Sequence, residues 1–88
     1  MIARNWRCQY GEVDLIAALP GLVVFCEVKA RRSAGFGGPE GAVDWRKQRR
    51  LRRLAAVWLA EQHPGWVEIR FDVASVVGAK IQVIMAAF

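Results

Sequence analysis

Acidic residues are scarce in this chain. Eight Asp and Glu stand against thirteen Lys and Arg, leaving a net charge of +5 at pH 7. Cysteine is scarcer still. Cys8 and Cys26 show no Cys-X-X-Cys spacing, and the single histidine, His63, is distant from both, so a zinc site is not expected. Two buried free thiols in a reducing cytosol are the expectation. No apolar run approaches the roughly 20 residues that cross a bilayer, and Arg4, Asn5 and Arg7 interrupt any signal-peptide core. A cytoplasmic protein with no membrane partner is therefore expected. No Gly-Lys-Ser/Thr closes the one glycine-rich stretch, which excludes a phosphate-binding P-loop. There is no internal repeat, low-complexity tract or interdomain linker, so residues 1–88 read as a single domain.

What is abundant is apolar and arginine. Hydrophobic residues make up 55% of the chain, enough for a core, although 88 residues is near the lower size at which one core is stable alone. Ten of the thirteen cations are arginine, whose planar fork suits phosphate oxygens. Clustered arginine is the electrostatic footprint of a nucleic-acid binder. An anionic membrane surface would attract the same charge, so its sign alone does not choose.

The chain is organised around Glu12–Lys29. Two strands, 12–19 and 23–30, are rich in Val, Ile, Leu and Phe and join at Pro20-Gly21. Proline fixes φ and glycine accepts φ > 0, which suits a type II turn. With antiparallel pairing, Leu19 faces Leu22, Asp14 opposes Glu27 and Glu12 opposes Lys29. Two-residue hairpins prefer primed turns, and a longer loop would shift this opposition. Period-two alternation puts the four charged residues on one face with Ile16, Ala18, Val23 and Phe25. Val13, Leu15, Ala17, Val24, Cys26 and Val28 take the other. Asp14 and Glu27 would then repel at roughly 5 Å between Cβ atoms unless a cation sits between them. On that account removing either acid relieves strain. Glu-X-Lys by itself is commonly just a solvated ion pair; here it ends strands apolar on both faces, which are covered on both sides.

Residues 2–8 read as a first strand, turned by Gln9-Tyr10-Gly11, so three short-linked strands form an antiparallel meander. Residues 31–43 form a loop with four glycines and a proline. Leu51, Leu54, Ala55, Trp58 and Leu59 then fall at helical spacing, predicting a helix over 44–62 with Asp44 as N-cap and His63-Pro64-Gly65 as stop. Arg46, Arg49, Arg50, Arg52 and Arg53 lie opposite the apolar stripe, with Lys47 and Gln48 on its borders. Such a face is often only solvated surface. A cationic run without an interleaved acid, however, favours a polyanionic partner. Strands over 66–76 and 80–85, turned at Gly78-Ala79, complete an α/β sandwich with one visible helix.

An acid in the second strand, Glu-X-Lys in the third, then a helix and two strands resembles the PD-(D/E)XK nuclease superfamily. That is the fold of restriction endonucleases and Holliday-junction resolvases. The ordered set Ala3-Arg4-Asn5-Trp6-Arg7, Gly11-Glu12-Val13-Asp14-Leu15-Ile16, Val24-Phe25-Cys26-Glu27-Val28-Lys29, Phe36-Gly37, Arg46-Lys47-Gln48-Arg49-Arg50-Leu51 and Arg70-Phe71-Asp72-Val73 narrows this. It is similar to the bacterial YraN-like family of predicted endonucleases, over nearly the whole chain.

The resemblance implies a restriction endonuclease-like α/β fold, a mixed five-stranded sheet in the order strand-strand-strand-helix-strand-strand. It implies that Asp14 and Glu27 bind Mg²⁺ or Mn²⁺, that Lys29 is catalytic, and that Glu12 belongs to the site in a less defined role. The expected activity is metal-dependent hydrolysis of DNA phosphodiesters, branched or damaged DNA included. Arg31, Arg32, Arg46, Arg49, Arg50 and Arg53 would bind the nucleic acid through its phosphates. A non-catalytic nucleic-acid-binding module with the same fold is the alternative. Relatives usually carry a helix before the first strand; this chain does not, and is expected to be N-terminally shortened. One sheet face would then be bare, and a homodimer or other self-association is expected.

Overall fold

A computed structural model of the chain describes residues 1–31 and 44–88, and of Arg31 only the backbone. The glycine-rich stretch with Arg32 and Phe36 lies outside the described residues. Five strands and one helix follow in the order β1 (Ile2–Cys8), β2 (Gly11–Leu19), β3 (Leu22–Arg31), α1 (Trp45–Gln62), β4 (Glu68–Val77) and β5 (Lys80–Ile84). They form one five-stranded sheet in the spatial order β1-β2-β3-β4-β5. The meander is antiparallel throughout, as alternation and short turns dictate. β3 and β4 run parallel, which requires a crossover, and α1 lies within it. β5 returns antiparallel, so the sheet is mixed.

Pro20-Gly21 does make a two-residue turn: Leu19 pairs with Leu22, and Gly21 takes φ 75°, as the third position of a type II turn requires. The expected register holds from there to Leu15 opposite Cys26. Beyond that pair the predicted faces fail. Val13 lies in the same buried cluster as Ile16, Val23 and Phe25, although alternation would separate positions 13 and 16. Two residues, Asp14 and Leu15, stand between these core positions instead of one. The partner strand shows the matching irregularity. Arg4 pairs with Leu15 and Trp6 with Val13, and between them Asn5 adopts a left-handed φ of 52°. Asparagine tolerates that region better than most residues. The kink turns Val13 and Trp6 inward and Glu12 outward.

The core lies between the sheet and α1. Leu51, Leu54, Ala55 and Trp58 fill it from the helix, and Val13, Ile16, Val23, Phe25 and Val73 from the sheet. Phe25 stands at its centre, edge-on to Trp58 at 5.8 Å and stacked with Phe71 at 5.7 Å between ring centroids. The predicted helix ends are both present. The Asp44 carboxylate accepts from the Arg46 and Lys47 N–H groups at 3.0 Å, and His63 closes the helix at φ 48°.

The opposite face carries no helix among the described residues. Val73 points into the core, so its neighbours Ala74 and Val76, with their β5 partners Val83 and Ile81, point away. Val83 is 50% exposed and Ile81 70%. One polar cluster interrupts this apolar face. The buried Asp72 accepts from Arg70 Nε at 2.9 Å and Nη2 at 3.0 Å, and from the Ala86 N–H at 3.0 Å.

Candidate functional site

Glu27 continues the Val23–Phe25 alternation and so faces the helix; it is one of three buried polar residues among the described residues. A buried carboxylate needs partners. Lys29, two residues on along β3, places Nζ 3.2 Å from Glu27 Oε1, and Lys47 from the first turn of α1 places its own at 4.0 Å. The anion is thus held between two lysines, one from the strand and one from the helix. The two amines also bear on each other. Lys29 is held above the ordinary lysine value, first by its hydrogen bond with the Lys47 amine and then by Glu27, with burial opposing. Lys47 is pushed below it by that same contact, by burial and by the charge of Lys29.

Asp14 occupies the gap where β2 and β3 part beyond the Leu15–Cys26 pair. Its Oδ2 accepts from the Val28 N–H at 2.8 Å, which replaces the missing ladder bond. It borders a depression on the helix-free side with Arg4, Asn5, Leu15, Val28 and Ala30. Both Asp14 and Glu27 act electrostatically on Lys29 and on Cys26, so the two acids flank the same short segment of β3. They approach it from different directions, and the expected direct opposition of two carboxylates is replaced by Glu27 against lysines. Among the described residues no group of three His, Cys, Asp or Glu side chains could hold a metal ion. Glu12 is not brought to this cluster. Turned outward by the kink, it pairs with Arg7 across β1 at 3.0 Å.

Cys26 lies beside this site, buried, with its thiol pushed up to about 11, first by burial and then by Asp72. A thiol whose folded pKa is raised holds its proton while the unfolded thiol ionises. Its contribution to stability is complete below about pH 9 and is lost as pH rises toward 11. Cys26→Ala is therefore expected to flatten the alkaline fall in melting temperature over that window. In the native protein at neutral pH the half-buried Cys8 should react with a thiol reagent first. Equal rates at the two cysteines would contradict this.

The basic face of α1 is organised rather than merely solvated. The Arg46 and Arg49 guanidiniums lie 5.4 and 5.8 Å from the Trp45 ring, and that of Arg53 lies 5.0 Å from Tyr10 in the β1–β2 turn. Arg52 departs from this group and covers Phe71 and Phe88, at 5.9 and 5.4 Å. Among the described residues, Arg46, Arg49, Arg50 and Arg53 form no ion pair with a carboxylate. Of the predicted phosphate-binding residues, the Arg31 side chain and Arg32 lie outside the described residues. Lys47, Trp45 and Tyr10 were not legible as site residues. Lys47 at the border of the apolar stripe was the one available signal, since a border residue in the first turn can reach across to the sheet.

A mixed sheet with Glu27 and Lys29 on its central strand and one helix across it defines an α/β protein of the restriction endonuclease-like class. The family described as "Uncharacterised protein family UPF0102" matches residues 1–76, and the chain belongs to that family, the YraN-like branch of the PD-(D/E)XK-like nucleases. It is 58% identical over 76 residues to a UPF0102 protein of Nocardia farcinica, covering 86% of this chain and 60% of that one. For a UPF0102 protein of Mycolicibacterium smegmatis the identity is 57% over 77 residues, with 85% and 62% covered. For one of Mycobacterium tuberculosis it is 54% over 83 residues, with 91% and 65% covered. The chain thus spans less than two thirds of the length of these relatives. No helix among its described residues is long and apolar enough to cross a membrane.

Proposed function

We propose that this chain is a nucleic-acid-binding, metal-dependent endonuclease-like protein that hydrolyses DNA phosphodiesters. The observation that carries the reading is Lys29 beside Glu27 on β3, with Asp14 across the Val28 backbone and a basic helix face alongside. Mg²⁺ commonly binds through one or two carboxylates, keeping water and taking phosphate oxygens as further ligands. Asp14 and Glu27 are the two carboxylates beside this segment of β3 and would hold the ion, Glu27 from the helix side and Asp14 from the helix-free side. When bound it would lower the pKa of a water and offset charge on the phosphate. Lys29 stabilises the negative charge that develops on the phosphate oxygens. The arginines of α1 hold the backbone, so recognition is of phosphate and shape, with little reading of sequence. A cleavage assay on linear, nicked and branched DNA with Mg²⁺ or Mn²⁺ tests this.

A second reading, a non-catalytic nucleic-acid-binding module, is favoured by one feature. Glu27 is already neutralised by two lysines, which a metal would have to displace or share. Binding without metal-dependent cleavage would decide for it. Both readings require affinity that falls with salt. If about four of the arginines contact phosphates, log K against log[salt] should slope near −4, at about −0.9 per contact. Alanine at Arg49, Arg50 and Arg53 should flatten it, and a slope near zero would remove both readings.

Self-association belongs to the same proposal, through the helix-free face where Ile81 and Val83 are exposed. Homodimers are the commonest closed assemblies. Sedimentation equilibrium at micromolar concentration should show mass above 9.9 kDa; a monomer throughout would refute it.

A further inference from the structure

We infer that the cleft formed by Tyr10, Trp45, Arg46, Arg49, Arg50 and Arg53 takes an unpaired nucleotide, its base on Trp45 and its phosphates on the arginines. The inference rests on the proposed nucleic-acid reading and names the form of substrate within it.

The cleft encloses about 500 Å³ between the β1–β2 turn and the first half of α1. That is in the range of small-molecule sites, roughly 300–1,000 Å³. Its chemistry is of two kinds. Four guanidiniums, with no carboxylate partner among the described residues, supply the positive charge that a phosphate chain needs. For an ordinary duplex, charge would suffice. The second kind is aromatic, and a duplex has no use for it, because its bases already stack on each other. Trp45 is 59% exposed and Tyr10 40%, at the two ends of the arginine cluster. Large aromatics left open cost free energy unless something covers them. Among the described residues guanidiniums do so here, and a stacked base offers Trp45 a larger apolar face while leaving those guanidiniums to the flanking phosphates.

Gly11 forms part of the cleft wall beside Arg50 and Leu54, at φ 135°, a backbone conformation that L side chains rarely adopt. The cleft also adjoins the candidate site, since Lys47, which reaches Glu27, follows Arg46 in the same turn of α1. An unpaired nucleotide seated here places its strand beside Glu27 and Lys29. The substrate class is thus single-stranded nucleic acid, or a duplex interrupted by an unpaired stretch, in preference to continuous duplex.

The test is fluorescence anisotropy at fixed low salt with a labelled oligothymidylate, an abasic strand of the same length, a continuous duplex and free thymidine monophosphate. The oligothymidylate should bind roughly tenfold more tightly than the abasic strand, within the span measured for base–aromatic stacking. Trp45→Ala should erase that difference, weakening oligothymidylate binding by more than it weakens abasic or duplex binding, and Trp45→Phe should retain most of it. Circular dichroism of Trp45→Ala should match the parent, since the residue is outside the core. Equal binding of oligothymidylate and abasic strand overturns the inference but leaves the nucleic-acid reading standing. So does an equal loss on all three polymers in Trp45→Ala. Free nucleotide binding as tightly as the strand overturns the strand assignment, and no binding of any polymer overturns both.

Discussion

Phe25→Ala is expected to cost about 3–5 kcal/mol, the range for a buried phenylalanine reduced to alanine. The side chain is wholly buried and meets Trp58 from the helix and Phe71 from β4. Its removal opens a void between the sheet and the helix, and the edge-to-face and stacked contacts are lost with it. Small domains commonly hold only about 5–15 kcal/mol in total. A single truncation there consumes much of that margin. Urea titration followed by far-ultraviolet circular dichroism should show the midpoint fall sharply with an unchanged slope. Phe25→Leu should recover most of the loss. A shift under about 1 kcal/mol for the alanine variant would mean that the core does not centre on this ring.

The second large effect separates the two acids. Asp14→Asn should keep the fold, because the asparagine oxygen can still accept from the Val28 N–H. Metal-dependent cleavage should nevertheless fall at least a hundredfold, the scale expected when a charge-stabilising group is removed. Lys29→Ala should lose cleavage to a similar extent. Glu27→Gln should lose cleavage and also about 1–2 kcal/mol of stability, since it leaves Lys29 and Lys47 close together without their anion. This reverses the expectation from direct Asp14–Glu27 repulsion, under which either substitution relieves strain. Thermal melts beside cleavage rates distinguish the cases. Full activity in Asp14→Asn would exclude Asp14 from the chemistry.

Most of this architecture was legible because it follows local rules. Pro20-Gly21 set a register that holds over five residue pairs, and the spacing of the helix gave its buried residues Leu51, Leu54, Ala55 and Trp58, with Leu59 only partly buried. What was not legible depends on a single residue. One kink, with Asn5 left-handed opposite Asp14, moves every position beyond it to the other face. Alternation counted through that point put Val13 outside and Glu12 in the site, and both are reversed. The contact of Lys47 with Glu27 depends on how α1 docks across the sheet, which periodicity does not encode. The same is true of Tyr10 meeting Arg53, two residues distant in sequence and joined only by the packing of a turn against a helix.

The parallel pairing of β3 with β4 has a consequence for how the molecule forms and opens. The meander closes through turns of two residues, whereas β3 and β4 meet only after the whole stretch from Arg31 to Glu68 has been looped back. Loop-closure entropy makes such a non-local contact late and slow. Glu27 and Lys29 belong to the early hairpin, and Lys47 arrives with the late closure. The anion is therefore left without its second lysine in any species where the helix is undocked. Partial opening, of the kind hydrogen exchange detects, would dissolve the site while the hairpin that carries it stays intact.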